Sequence, residues 1–582
     1  MKRITSTLLL TLCSAMLLGS CSFGINAGGV TLNNVTRDVY SVKKFRDNEG
    51  NRAASKIKTI TFKVNPIREH VLYCDLPTYA DMVCATMGAG YTYTANGTEW
   101  VVKRGDTPVF VAGISLSERR FTFAGSITAA FPSDPINYGT LMEGLKAEGT
   151  VIKEGTTVAS ASFADFDAQL PLYYGKDVLY APVALYDAAF AESTGFYHFD
   201  NFEDIFQYGS AEDLTLKLGK GDKDITDNLA TFHKANATPA DVRLLERATF
   251  YFTMDNFYGL RFHKGIEKMS DFYRGAGLDK LLVDEDDAKR CAAYYAAVGT
   301  LLNDDHTGLT SIASYWGDDD KYSVRGQLSN DRRILYEGLT AARKQAYEKE
   351  SLTPLESVRY SSSGETAFFS FDSFRFERQP YEEDGKTKKP DLWKTDTAAY
   401  FVKAFEEIKA KGGVKRVIID DSCNGGGTLG VAYKTLSLVS KDNQAYLDSE
   451  RLQYDMVTRA NIGYDRNLDG KYDAEDVYGD DFEISILTSP RSFSCGNLFP
   501  IQAKTLGVKT IGVKSGGGEC VVDSHMLPSG RSLTHSGMTR LVTFDETTKM
   551  VTGFERGASP DIKVDYSHFY DVDYLESVLI KE

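Results

Sequence analysis

The chain has 582 residues, 42% of them hydrophobic and 25% charged, with a formal charge of −15. This length suits several domains, and the apolar fraction supports folded cores rather than a disordered chain. The acidic balance argues against nucleic acid and against an anionic membrane surface as partners.

Met1 to Ser20 reads as a secretory leader, with Lys2 and Arg3 at its positive start. Its apolar stretch, Leu8 to Leu18, is too short to span a bilayer. The next residues, Leu18-Gly19-Ser20-Cys21, resemble a bacterial lipobox, which implies cleavage before Cys21 and lipidation of its thiol. The alternative is a plain signal peptide followed by a chance cysteine. The expectation is a cell-envelope protein, an outer-membrane lipoprotein facing the periplasm or the surface, that touches membrane only through the lipid on Cys21. No later segment is apolar enough to be transmembrane.

Residues 21–238 read as a β-rich accessory region. Lys56 to Val64, Tyr91 to Lys103 and Thr107 to Ala124 alternate and carry β-branched or aromatic residues between Gly and Asn turns. Cys74 and Cys84 lie close together on apolar segments and could pair in an oxidising compartment; Cys423 and Cys495 read by default as small buried thiols, with nothing in the sequence supporting a Cys495–Cys520 bridge. No CxxC occurs, which argues against structural zinc. At Pro239 the pattern turns helical, with proline and then Asp241 opening a helix. This segment, 239–310, ends in Asn303-Asp304-Asp305-His306-Thr307-Gly308, where the flanking acids are expected to raise the His306 pKa. Residues 311–363 read as a charged linker, and 364–582 as an α/β layered domain in which strands alternate with helices.

Two loops in that domain carry chemistry. The buried-type strand Val414 to Asp420 runs into Asp421-Ser422-Cys423-Asn424-Gly425-Gly426-Gly427, where glycines let the backbone approach a ligand closely. No Walker lysine and no GxGxxG spacing follow, so phosphate cradling is not indicated. The apolar run from Phe482 leads to Ser492-Phe493-Ser494-Cys495-Gly496, then a helix from Asn497 to Leu506 and a strand from Val508 to Val513. A serine between a strand and a helix N-terminus sits where backbone N–H groups and the helix dipole can stabilise an oxyanion.

These loops resemble the tail-specific, or C-terminal-processing, serine proteases over roughly Pro239 to Val564. The glycine loop is similar to that family's Asp-Leu-Arg-x-Asn-x-Gly-Gly element, and the serine turn to its Ser-Ala-Ser-Ala-x-Glu element, which places the nucleophile at Ser494. The resemblance implies a crotonase-like or ClpP-like spiral core. The segment at His306 resembles the Asp-x-His-(Thr/Ser) motif of the tricorn-like branch, where the histidine is the general base. Thr552 to Asp561 resembles that branch's Glu-x-x-Gly-Val-x-Pro-Asp closing motif, although Glu555 stands one residue closer to its glycine than in the motif. The classical family lysine, in a Phe-Gly-Lys-Gly turn, is missing: the region reads Ser515-Gly516-Gly517-Gly518-Glu519, with Lys514 beside it. The linker is too short for the family's PDZ module.

The implied reading is a serine peptidase acting on peptide or protein substrates, with Ser494 as nucleophile, His306 as base and Glu555 orienting the imidazole. The oxyanion would be held by N–H groups of Cys495 and of Gly425 or Gly426. No cofactor is needed for catalysis. A binding lipoprotein on the same fold, and an esterase or amidase acting on polysaccharide substituents, are the alternatives. Asp465 to Asp476 also has the spacing of a calcium loop, with Asp465, Asn467, Asp469, Asp473 and Asp476 as side-chain ligands, Lys471 offering its carbonyl, and Gly470 at the turn. An acidic Asn/Asp/Gly turn is the plain alternative, and calcium here would be structural.

Overall fold

In the computed structural model the described residues are 31–42, 54–85, 87, 90–125, 143–191, 195–199, 204–208, 238–311, 330–377, 379–382 and 384–581. The leader and Cys21 lie outside them. The chain divides into two compact units: Met1–Ser133, Thr156–Gly326 and Val522–Met538 form the first, and Asp134–Gly155, Gln327–Val521 and Thr539–Glu582 the second. Residues 134–155, read as part of the accessory region, thus group with the α/β domain.

The first unit is β-rich, as its alternating sequence suggests. One seven-stranded sheet has Asn33–Val42 and Ala54–Asn65 at its centre, and a five-stranded sheet runs from Tyr91–Ala95 to Ala159–Ser162. Helix Ala240–Phe257 buries Leu245, Ala248, Phe250, Tyr251 and Phe252. Cys74 and Cys84 are buried thiols rather than a disulfide, and Cys495 and Cys520 in the second unit are likewise not bridged. Each is buried, where a cysteine packs as a small side chain without needing a bridge. Strands Cys520–Met526 and Arg531–Phe544 pair, and the parts of them in this unit bring His525 and His535 into a buried stack, rings 5.2 Å apart and 6° from parallel. His535 Nδ1 lies 3.1 Å from the Ser536 carbonyl. Burial pushes His525 down to about 3 and His535 to about 4.

The second unit holds a six-stranded sheet in the order Arg359–Tyr360, Thr366–Ser370, Arg416–Asp420, Glu483–Thr488, Lys509–Gly512, Ile562–Lys563. All neighbours are parallel except the first pair. Such a sheet must be covered on both faces. Ala367, Phe369, Val417, Ile419, Ile484 and Ile486 face one core, shared with Phe401, Phe405 and Ile408 of helix Thr397–Lys411 and Leu498 of helix Cys495–Thr505. Phe368, Ile418, Leu487 and Ile511 face the other, shared with Leu339, Tyr347 and Leu575. The result is a helix–sheet–helix layering that bears out the α/β expectation.

Leu339 and Tyr347 belong to a twenty-residue helix, Asn330–Lys349, inside the segment read as a linker. Its inward stripe places Arg343 between them, so apolar periodicity is interrupted. Arg343 is buried because Asp372 takes it with both oxygens, at 2.6 and 2.7 Å.

Candidate active site

In parallel sheets, ligand sites form beyond the carboxyl ends of the strands. Here the adjacent strands ending at Asp420 and Thr488 deliver the glycine loop and the serine turn side by side. The glycine loop stands on a polar pedestal. Asp420 accepts from Ser370 Oγ (2.7 Å) and from the Ser422 N–H (3.0 Å), and Ser492 Oγ donates to the Asp421 carbonyl (2.8 Å). Burial raises the Asp421 carboxyl well above the usual carboxylate range, with Asn424 Nδ2 donating to it at 2.8 Å.

Ser494 has φ 55° and ψ −125°, a conformation L-residues rarely hold. It caps helix Cys495–Thr505 and is half-buried among buried neighbours. The helix starts two residues earlier than the sequence suggests, leaving Pro500 in its sixth position. The Cys495 N–H, at the first helical position, has no preceding turn to donate into and is free to face a ligand. Its thiol is no rival nucleophile: burial pushes it up to about 12, and Sγ donates to the Gly427 carbonyl at 3.2 Å.

The two glycines expected to share the oxyanion have other duties. The Gly425 N–H donates to the Asp372 carbonyl (3.2 Å) and the Gly426 N–H to Asn424 Oδ1 (2.9 Å). As they stand, neither is available, which leaves the Cys495 N–H of the predicted set. Gly426 instead supplies proximity, since a Cβ there would lie 2.7 Å from Ser494 Cβ at a φ of +105°.

A third segment closes on the serine turn. Ser494 N–H donates to the Gly517 carbonyl (2.9 Å) and Gly516 N–H to the Ser492 carbonyl (2.8 Å). On its other side Gly517 presses on Glu555: a Cβ would sit 1.8 Å from the Glu555 carbonyl oxygen. Glu555, half-buried, accepts the Glu519 N–H at 2.9 Å on Oε2. Asn497 joins the layers, accepting from Ser515 Oγ at 2.7 Å and donating to the Phe554 carbonyl at 3.2 Å. Ser494, Cys495, the glycine loop and the Glu555 turn therefore come together in the second unit. Lys514 is exposed. Asn497, Ser515 and Glu519 were not singled out from the sequence; the run of three glycines before Glu519 was the available signal of tight packing there.

His306 belongs to the first unit. Its turn is built by Asp304, whose carboxylate accepts the His306 N–H (3.0 Å) and Thr307 Oγ1 (2.6 Å). Strand Gly308–Ser311 follows, paired with Arg531–Leu533 and Thr534. Burial lowers the His306 pKa, outweighing Asp304 and Asp305, which raise it. This corrects the expectation of a raised value: the imidazole is only 8% exposed, and desolvation of the charged form wins.

The Asp465–Asp476 loop has the turns the spacing demands, with Leu468 and Gly470 at positive φ. Its acids, however, serve the loop. Asp465 accepts the N–H groups of Asp469 and Gly470, Asp476 those of Arg466 and Asp473, and Asp469 pairs with the Lys471 ammonium at 3.1 Å. Among the described residues no group of three or more acid, His or Cys side chains converges on a metal position.

Comparison with known proteins agrees with the core. Residues 384–564, the segment that holds the glycine loop, the serine turn and Glu555, match the model of Peptidase family S41. No curated protein matches the sequence. Among solved structures, the chain is similar to the photosystem II D1 C-terminal processing protease at 14% identity and a TM-score of 0.25, over 37% of this chain and 47% of that one. It is similar to a putative peptidase from Parabacteroides merdae at 18% identity and a TM-score of 0.34, over 53% and 88% of the two chains. A lipoprotein from Streptococcus agalactiae gives 13% identity and a TM-score of 0.35, over 60% and 99%. The chain thus spans about half the length of the first of these proteases.

Proposed function

We propose that this protein is a serine peptidase of the cell envelope, anchored by lipid at Cys21. Ser494 Oγ attacks the scissile carbonyl, His306 accepts its proton and returns it to the leaving amine, and Glu555 orients the imidazole through an intervening hydroxyl or water. The Cys495 N–H, at a helix N-terminus, holds the oxyanion. Water then releases the acyl group.

The observation that carries this reading is the backbone of Ser494. A non-glycine residue at φ 55° and ψ −125° costs stability, and such strain collects where a side chain must be presented. The lowered His306 pKa keeps its imidazole neutral, the form a general base needs. A fluorophosphonate probe tests it: labelling of the wild type, lost in Ser494→Ala, is expected together with hydrolysis of fluorescein-casein. Absence of both would exclude the peptidase.

A binding protein on the same scaffold is the second reading. It is favoured by the engagement of the Gly425 and Gly426 N–H groups, which leaves the oxyanion one donor short of the usual pair. Peptide binding without labelling would select it.

A further inference from the structure

Glu519 is a buried carboxylate, 1% exposed, at the end of the glycine run. It meets Glu555 in a reciprocal clasp. The Glu519 N–H donates to Glu555 Oε2 at 2.9 Å, and the Glu555 N–H donates to Glu519 Oε2 at 2.8 Å. Two like-charged side chains are thus each held by the other's backbone, which fixes the Glu555 side chain and its main chain together. The second Glu519 oxygen accepts from Arg540 Nη1 at 3.1 Å. Arg540 Nε in turn donates at 2.6 Å to Glu450, itself only 6% exposed. A buried carboxylate next to another acid is costly unless a cation and hydrogen bonds offset it. Arg540 supplies the cation, and the Glu555 N–H the hydrogen bond. Gly553 leaves the space: a Cβ there would lie 2.3 Å from Glu519 Oε2.

We infer that Glu519 is a positioning residue for the proposed reaction, holding Glu555 in the place from which it orients the base, with Arg540 keeping the Glu519 carboxyl aimed. The inference rests on the reading of Ser494, His306 and Glu555 given above. It gives the position after the glycines a task, where the resemblance to classical processing proteases shows only a missing lysine.

The test uses the full chain and fluorescein-casein. Glu519→Ala removes the acceptor for the Glu555 N–H and is expected to lower kcat about tenfold or more with KM within about twofold, as for a group that acts on the transition state alone. Glu519→Gln keeps an oxygen for that N–H and is expected to recover most of the loss, whereas Glu519→Met, which fills similar space without that acceptor, is not. Glu519→Ala added to Glu555→Gln should cost little more than Glu555→Gln alone, because both act through one side chain. Glu519→Ala at wild-type kcat, Glu519→Gln no better than Glu519→Ala, or full additivity with Glu555→Gln would each overturn the positioning role while leaving the peptidase reading intact. Undiminished turnover in Ser494→Ala or Glu555→Gln would overturn that reading and this inference with it.

Discussion

Gly426 faces Ser494 so closely that a methyl on its α-carbon would stand 3.1 Å from the serine Oγ and 3.0 Å from the Phe493 carbonyl oxygen. The glycine loop therefore acts as a spacer that sets where the hydroxyl can lie. Gly426→Ala, at a φ of +105°, must shift one element or the other. Turnover of fluorescein-casein is expected to fall about 100-fold, since a displacement of this order at a reacting group costs that much. Activity within twofold of wild type would show that the loop does not set the position of Ser494.

Ser494 itself carries backbone strain. Glycine tolerates positive φ, so Ser494→Gly is expected to be more stable than Ser494→Ala by about 1 kcal/mol, with both inactive. Urea unfolding of the two variants measures it. Equal stabilities would mean that the conformation is not strained.

For His306 the pH profile follows from its environment. Burial lowers its pKa, so the imidazole stays neutral at pH values where an exposed histidine would be protonated. The acid limb of kcat/KM should lie below the ordinary histidine value of about 6.5. His306→Ala should abolish turnover and leave melting nearly unchanged. An acid limb above that value, or retained turnover in the variant, would remove His306 from the mechanism.

Stability should show its own pH dependence. His525 and His535 are held neutral by burial, down to about 3 and about 4. The unfolded chain binds a proton at each near pH 6.5, while the folded one does not until much lower pH. Stability is therefore complete above about 6.5 and falls as pH drops toward 4, by up to about 1.4 kcal/mol per pH unit for each histidine. Denaturant titrations of the wild type and His535→Phe at pH 7 and pH 5 check this; the variant should lose less between the two. Equal losses would place the proton uptake elsewhere.

The Asp465–Asp476 loop satisfies its acids from its own backbone, so EDTA is expected to leave both melting temperature and turnover unchanged. A fall of several degrees on chelation, reversed by calcium, would show that the acids gather around a cation instead.

Much of the second unit was legible. Val417, Ile418 and Ile419, and Ile484, Ile486 and Leu487 with only Ser485 between them, form apolar runs because both faces of a parallel sheet are covered, and the sequence marks both strands on that account. Helix Asn330–Lys349 was not legible. Its inward face includes Arg343, whose burial depends on Asp372, far away in sequence. The serine turn could be placed by its residue types, but the state of the glycine N–H groups could not. Whether Gly426 points its N–H at a ligand or at Asn424 is settled by backbone rotation, which glycine leaves unrestricted in either direction. The lowered His306 pKa was missed for a related reason: neighbouring acids can be counted along the chain, whereas desolvation is a property of the assembled fold.

The contact between Gly517 and Glu555 has a consequence for biosynthesis. Gly517 carries the carbonyl that accepts the Ser494 N–H, yet its own seat is formed by a turn that begins near Gly553, late in the sequence. A growing chain would have exposed its serine turn well before the piece that braces it left the ribosome. The serine turn thus reaches its final form only after the C-terminal segment has been made.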